Sequence, residues 1–291
     1  MISESEILYL NDGINQGIRA DGRSCDAIRP MDVDLGIVPT ANGSCRIRSR
    51  TTDIYVAIKC DIGKPSVEKP DEGIINVAVE FGCSVLPRLQ DFTGRQAVLE
   101  ADAFAEVVAD HVESLCLKSL DRKQFCIESG RCCWVASIDI LVERIDGSLI
   151  DPISIGIRAA LMDLELPLVA LPPPEDTMDG GETSMMPKVD LLGGLWKLTS
   201  SQMSAVCVSI GVFNNNSVIL VDMDRMEEYL AKSRENSLIT VSVNDQGDVC
   251  GIHKWGIGTI DPFVIRDVVS SGIKVGRDIS QLMTKLGSNL T

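Results

Sequence analysis

The stretch CWVASIDILVERIDGSLIDPISIGIRAALMDL, residues 133–164, decides the fold. Its first eleven residues, Cys133 to Glu143, are rich in β-branched and aromatic side chains and predict a strand. Asp146-Gly147 then marks a turn, because glycine adopts the backbone angles that a tight reversal needs. Asp151-Pro152 opens a helix predicted over Pro152–Leu164, since proline is well tolerated at a first helical position. A strand that turns straight into an apolar helix implies a sheet with helices packed on it.

Working outward, the same alphabet continues on both sides. Upstream, Ser3-Glu4-Ser5-Glu6 has the form of a capping box, and Ile7, Leu10 and Ile14 fall on one helical face. Past Gly17, the stretch RADGRSCDAIR (19–29) reads as a polar, turn-forming loop. Strands are predicted over Ile28–Leu35, Gly43–Arg48, Asp53–Ile62 and Ile74–Cys83; the third alternates Ile54, Val56 and Ile58 with Tyr55, Ala57 and Lys59. From Gly94 to Cys116 the period becomes helical, with Ala97, Ala101, Phe104, Ala105, Val108 and Val112 on one stripe. Phe125–Ile127 is a short strand before the deciding stretch.

Downstream, Pro167 and Pro172–Pro174 close the first block, and residues 172–186 (PPPEDTMDGGETSMM) are the most linker-like part of the chain. Ser204–Val212 and Val218–Val221 flank Asn214-Asn215-Asn216, a hairpin signal. A short helix follows over Met223–Ser233. A second hairpin, Leu238–Val243 with Val249–Lys254, turns at Asp245-Gln246-Gly247, and a long amphipathic helix runs from Asp261. The reading is an α+β chain in two related halves, 1–171 and 187–291, joined by the linker-like loop 172–186.

Composition narrows the function. The chain has 291 residues, 45% apolar and 24% charged, with a net charge of −15 and 4% aromatics. An independent nucleic-acid binder would carry a basic surplus and stacking aromatics, so any nucleic acid must be held with help from neighbours. The start MISESEIL lacks a basic region and an apolar core, and the longest apolar run, Ala205–Phe213, is far short of the roughly 20 residues that span a bilayer. An intracellular protein without a membrane segment is the expectation. The ten cysteines are scattered without a C-x-x-C pair, and neither His111 nor His253 has a ligand at sequence spacing. Reduced core thiols and no metal or cofactor are expected.

Phosphate-loop, nucleophile-elbow and zinc-protease motifs are missing, and Gly256-Ile257-Gly258 reads as a turn between strand and helix. The densest acid cluster is Asp222, Asp224, Glu227 and Glu228. Two carboxylates there could hold magnesium for phosphoryl chemistry; alternatively Asp224 and Glu227 form a capping box. Basic residues group in three loops: Lys64 and Lys69; Arg88 and Arg95; and Arg122, Lys123 and Arg131.

Four segments in order carry a family resemblance. Arg19-Ala20-Asp21-Gly22-Arg23 with Arg29 resembles the R-x-D-G-R…R opening of the RNase PH family. Gly43-Ser44-Cys45 with Thr52 to Val56 resembles its G-S-A…T-x-V strand pair. Cys133 to Asp151 is similar to the c-W-x-l-x-V-D-I…D-G-N-l-x-D-A segment of the non-catalytic exosome-ring branch, and Gly247 to Gly258 resembles that branch's ending. The resemblance implies a ribosomal protein S5 domain 2-like fold, with two βαββα halves around a pseudo-two-fold axis. It also implies a six-membered ring in which silent and catalytic-type chains alternate, with a catalytic-type subunit as heterodimer mate. S1/KH cap proteins would sit above, and RNA would pass through the channel. Nucleus, nucleolus and cytoplasm are the compartments implied.

The departures from the family pattern matter as much. Catalytic members bind phosphate on a glycine-threonine-arginine turn after the D-G motif; here the turn is Asp146-Gly147-Ser148-Leu149-Ile150. Of their two aspartates, Asp222 matches the first, while the second falls near Ser233-Arg234. The arginine-rich run before the first long helix is reduced to Gly94-Arg95-Gln96-Ala97. No catalytic residue is therefore expected in this subunit, against the alternative of an active phosphorolytic 3'-5' exoribonuclease. RNA-contacting residues expected from the family are Lys64, Lys69, Arg95, Arg122, Lys123 and Arg131.

Overall fold

A computed structural model describes residues 3–85, 97–169, 193–198, 203–214 and 217–288. The linker-like stretch 172–186, the basic residues Arg88 and Arg95, and Asn215-Asn216 of the hairpin signal lie outside the described residues.

The chain opens with helix α1 (Glu4–Asn15). Its capping box forms: the Ser3 amide donates to Glu6 Oε2 at 2.8 Å, and the Glu6 amide donates to Ser3 Oγ at 3.3 Å. Four strands follow, β1 (Asp32–Leu35), β2 (Gly43–Arg48), β3 (Asp53–Gly63) and β4 (Ile74–Phe81). Helix α2 (Ala97–Leu115), strands β5 (Cys126–Glu128) and β6 (Cys132–Arg144) and helix α3 (Ile150–Asp163) complete the first half. Short strands β7 (Glu165–Pro167) and β8 (Leu195–Lys197) pair with each other. The second half comprises β9 (Val206–Phe213), β10 (Val218–Val221), α4 (Arg225–Ala231), β11 (Ser237–Val243), β12 (Val249–Trp255) and α5 (Pro262–Ser288). A β-α-β-β-α run therefore occurs in each half, β4 to α3 and β10 to α5.

Each half has its own sheet. The first has the order β1-β2-β3-β6-β4, with β5 beside β6; β4 runs parallel to β6 and the other pairs are antiparallel. The second, β10-β9-β11-β12, is antiparallel throughout. On β3, Ile54, Val56 and Ile58 are fully buried, as their alternation predicts. Helix α3 packs on β2 and β3 of one sheet and on β9 of the other. That central position buries the helix on every side: every residue from Ile150 to Leu161 is buried, the polar Asp151, Ser154 and Arg158 included. Gly156 permits the close approach, since a Cβ there would lie 2.9 Å from the Val56 side chain. One buried cluster runs through both halves, from Ile47 and Ile138 through Ile157 to Val208 and Val241.

Two predicted boundaries move. The strand expected from Ile28 starts only at Asp32, because the Arg29 amide donates to Asp222 at 2.6 Å and Pro30 has no amide to give a ladder. The helix expected from Pro152 starts at Ile150, so the proline is its third residue, not its first. It is still in the first turn, where amides have no partner within the helix, so its missing N–H costs nothing.

Candidate functional site

Strand β10 ends at Val221, and the next four residues decide what the acid cluster does. Asp222 takes a left-handed backbone (φ 48°), Met223 is buried, and Asp224 becomes the cap of α4. Asp224 Oδ1 accepts from the amides of Met226 and Glu227 at 2.8 Å each, and the Asp224 amide donates to Glu227 Oε2 at 3.0 Å. The capping reading of these two carboxylates is the one realised.

Asp222 is engaged differently. It accepts from the Arg29 amide (2.6 Å), Arg29 Nη2 (2.7 Å), Arg29 Nε (3.1 Å) and Arg23 Nη1 (3.0 Å). Arg19 makes a two-pronged pair with Glu227 at 2.6 and 2.9 Å, and donates to the Val221 and Asp222 carbonyls at 2.9 and 2.8 Å. The Asp222, Glu227 and Arg19 side chains are at most 2% exposed. Buried charges persist only when paired and hydrogen-bonded, and each is. The 19–29 loop, which reads as a polar turn, thus ties the front of the chain to the β10–α4 junction about 200 positions later.

The Asp146–Ile150 turn lies against the same junction. Gly147 has φ 75°, and a Cβ there would stand 2.5 Å from the Met223 carbonyl oxygen. Ser148 donates from its amide to Glu228 Oε2 at 3.0 Å and from its hydroxyl to the Met223 carbonyl at 3.2 Å. Lys232 closes on the other Glu228 oxygen at 2.7 Å. The chain's own carboxylate therefore occupies the donor of the turn that, in catalytic relatives of the resemblance, faces phosphate. Leu149 lines an adjoining cavity of about 280 Å³ with Phe81, Phe104, Val108, Leu238 and Trp255. The apolar part of the wall favours an apolar group, and Arg225, Glu228 and Lys232 line the same cavity.

Behind the turn, Asp151 is buried, with Ser209 and not an arginine as its hydrogen-bond donor. Burial pushes its carboxyl up to about 8, although the Ser209 hydroxyl and amide donate to it at 2.6 and 2.8 Å. A hydrogen-bonded chain continues through Thr240 Oγ1, 3.1 Å from Ser209 Oγ, to Trp255 Nε1 at 2.9 Å.

The expected RNA-contacting residues gather elsewhere. The Gly73 amide donates to the Arg122 carbonyl and the Gly130 amide to the Pro70 carbonyl, both at 2.9 Å, so two loops become neighbours. Each of four basic side chains on them meets an acid: Lys69 with Glu72, Arg122 with Glu113, Lys123 with Asp71 and Arg131 with Glu128, at 2.9–3.0 Å. Lys64 is exposed, and Arg95 lies outside the described residues. Residues 61–73 and 118–131 hold six basic and six acidic residues, so the surface has no net positive charge.

Sequence reasoning missed Arg19, Arg23 and Arg29 as partners of the acid cluster, and Glu228 as the acceptor for Ser148. One signal was present: three arginines within eleven residues, beside two acids, need neutralising from outside their own loop.

Comparison with known proteins accounts for this architecture. Residues 27–167 match the 3' exoribonuclease family, domain 1, and residues 204–275 match its domain 2. The chain is 29% identical over 269 residues to the exosome complex component Rrp42 of Methanocella arvoryzae, covering 92% of each chain. It is 27% identical over 266 residues to the protein of the same description in Methanopyrus kandleri, covering 91% of each. A chain of the Archaeoglobus fulgidus exosome, solved with RNA bound to the active site, matches with a TM-score of 0.69 at 22% identity, over 94% of this chain and 95% of that one. A chain of an archaeal exosome core gives 0.68 at 21%, over 95% of each. With one domain of the family matched on each side of the linker-like stretch, and the fold shared across nearly the whole length, the chain belongs to the RNase PH, or 3' exoribonuclease, family.

Proposed function

We propose that the chain is a ring subunit of an RNA exosome that builds the core and helps line the RNA path, and that it does not itself catalyse phosphorolysis. The observation that carries this reading is the state of Asp222. Its carboxylate is buried under four donors from Arg23 and Arg29, leaving no lone pair facing a cleft where a magnesium ion could sit. Glu228 on Ser148 supports the same reading, because a phosphate would meet a negative charge at the turn. The descriptions of the relatives as exosome components support the ring. Outer strand β12 and the exposed Ile252, Ile257 and Phe263 offer surface to neighbours. These neighbours would be a catalytic-type RNase PH-like mate, the other ring subunits and S1/KH caps, in nucleus, nucleolus and cytoplasm.

The RNA path, in this reading, draws on Lys64, Lys69, Arg95, Arg122, Lys123 and Arg131 only within the assembly. With few aromatics, contacts would be to phosphates and blind to sequence. Alanine at Arg122, Lys123 and Arg131 together should lower the salt slope of RNA binding by the assembled ring by about one unit per lost contact. Unchanged affinity and slope in an intact ring would remove these residues from the path.

The deciding experiment is phosphate-dependent RNA degradation by the isolated chain, with the native mass measured after co-expression with a catalytic-type partner. No release of nucleoside diphosphates and a defined heterodimer are expected. Release that Asp222→Asn abolishes would establish the active alternative. A well-behaved monomer indifferent to the partner would overturn the ring reading.

A further inference from the structure

The chain has two histidines, and they lie 142 positions apart in sequence. His111, near the end of α2, and His253, on β12, come from different halves, yet the fold brings their Nε2 atoms to 3.1 Å. His111 Nδ1 lies 2.5 Å from the Val107 carbonyl oxygen. A carbonyl can only accept, so Nδ1 bears the proton, and the neutral ring presents its Nε2 lone pair to His253. The two rings cross at 78°, and Trp255 flanks both with centroids 4.4 and 4.5 Å away, which fixes their orientation. The contact is then a hydrogen bond from His253 Nε2–H to His111 Nε2, and an ion taking the place of that proton would find both nitrogens already facing it.

We propose that His111 and His253 form a binding site for a divalent first-row transition ion such as Ni²⁺, Cu²⁺ or Zn²⁺, clasping α2 of the first half to β12 of the second. Two imidazoles on a tetrahedral ion, with metal–nitrogen distances of about 2.0–2.1 Å, place their nitrogens about 3.3 Å apart, so little movement is needed. The His111 Nδ1–H bond to a backbone carbonyl is the outer contact that metal-binding imidazoles usually make. Among the described residues no group of three or more His, Cys, Asp or Glu is placed to hold a metal, so water completes the coordination. Imidazole ligation selects against Mg²⁺ and Ca²⁺, which require oxygen donors. Sequence spacing could not reveal this pair, because the two histidines lie 142 positions apart along the chain.

The test uses the full chain, free of any affinity tag and kept reduced. NiCl₂ is the probe, since thiolates compete for it less than for Zn²⁺ or copper. Expected results are saturable one-to-one binding by calorimetry, a raised melting temperature, and paramagnetic perturbation of both imidazole proton signals, the only two the chain can give. His111→Gln and His253→Gln should each weaken binding about tenfold or more and remove the melting shift, while MgCl₂ produces neither effect. Absent saturable binding, or unperturbed imidazole signals at saturation, means that a shared proton fills the gap and overturns the proposal. Binding unchanged in the double variant assigns the ion to the cysteines and does the same. The imidazole signals are read on the wild-type chain, so the result stands even if a variant fails to fold.

Discussion

At the β10–α4 junction, Arg19, Arg23 and Arg29 meet Asp222 and Glu227 with side chains at most 14% exposed. On the two neighbouring loops, Lys69, Arg122, Lys123 and Arg131 meet acids with side chains 22–65% exposed. Both regions consist of cation–carboxylate pairs at similar distances, and solvent separates them. Water screens the exposed pairs and competes for their hydrogen bonds, so each is worth little and can exchange its partner for another anion. In the junction no water replaces a lost partner, and the pairs hold the chain in one arrangement. Charge at the junction therefore fixes architecture, while charge on the loops stays available for binding.

Breaking the buried side of this comparison should cost most. Asp222→Ala leaves Arg23 and Arg29 facing each other without their shared carboxylate, and should destabilise the chain by about 3–5 kcal/mol in urea unfolding. A loss under about 1 kcal/mol would mean that water reaches the junction and the contrast fails.

Asp151 sharpens the comparison, because it is a buried carboxyl given hydroxyl and amide donors but no direct cation. Its folded pKa, about 8, lies above the unfolded 3.8, so the folded state holds the proton more tightly. Stability contributed by this proton is full below pH 3.8 and is lost as pH rises towards 8, at about 1.4 kcal/mol per pH unit. Asp151→Asn should remove that slope, read as the difference between wild-type and variant unfolding curves across the window. Parallel curves would show that Asp151 is ionised in the folded chain.

Gly147→Ala tests the turn without changing any charge. A left-handed backbone costs a non-glycine residue about 1–2 kcal/mol, and the added methyl would stand 2.5 Å from the Met223 oxygen. The loss should reach at least that range, measured as a lowered melting temperature; a neutral substitution would mean the turn can leave the junction freely. The smallest effect belongs to the exposed pairs: Lys123→Ala and Arg131→Ala should each leave the unfolding midpoint of the isolated chain unchanged. A lowered midpoint would make those loops structural, and would weaken their assignment to the RNA path.

Much of this molecule was legible where the interacting residues are close in sequence. Both capping boxes, Ser3 with Glu6 and Asp224 with Glu227, span three residues and formed as read. The alternation of Ile54, Val56 and Ile58 gave the buried face of β3. The start of β1 was misread because its competitor, the Asp222 carboxylate, lies 193 residues away from Arg29. For α3, the proline rule placed the helix start two residues late, since it admits proline anywhere in the first turn.

By itself the sequence determined the element types, the two-halved order and the family, because periodicity, caps and motifs act over a few covalently linked residues. Only the tertiary structure decided what the charged residues do. It spent Asp222 on Arg23 and Arg29, set Glu228 against Ser148, paired the loop cations with acids and brought His111 to His253. Those outcomes depend on which distant groups share a dry space, and desolvation is a property of the closed fold, not of neighbours along the chain.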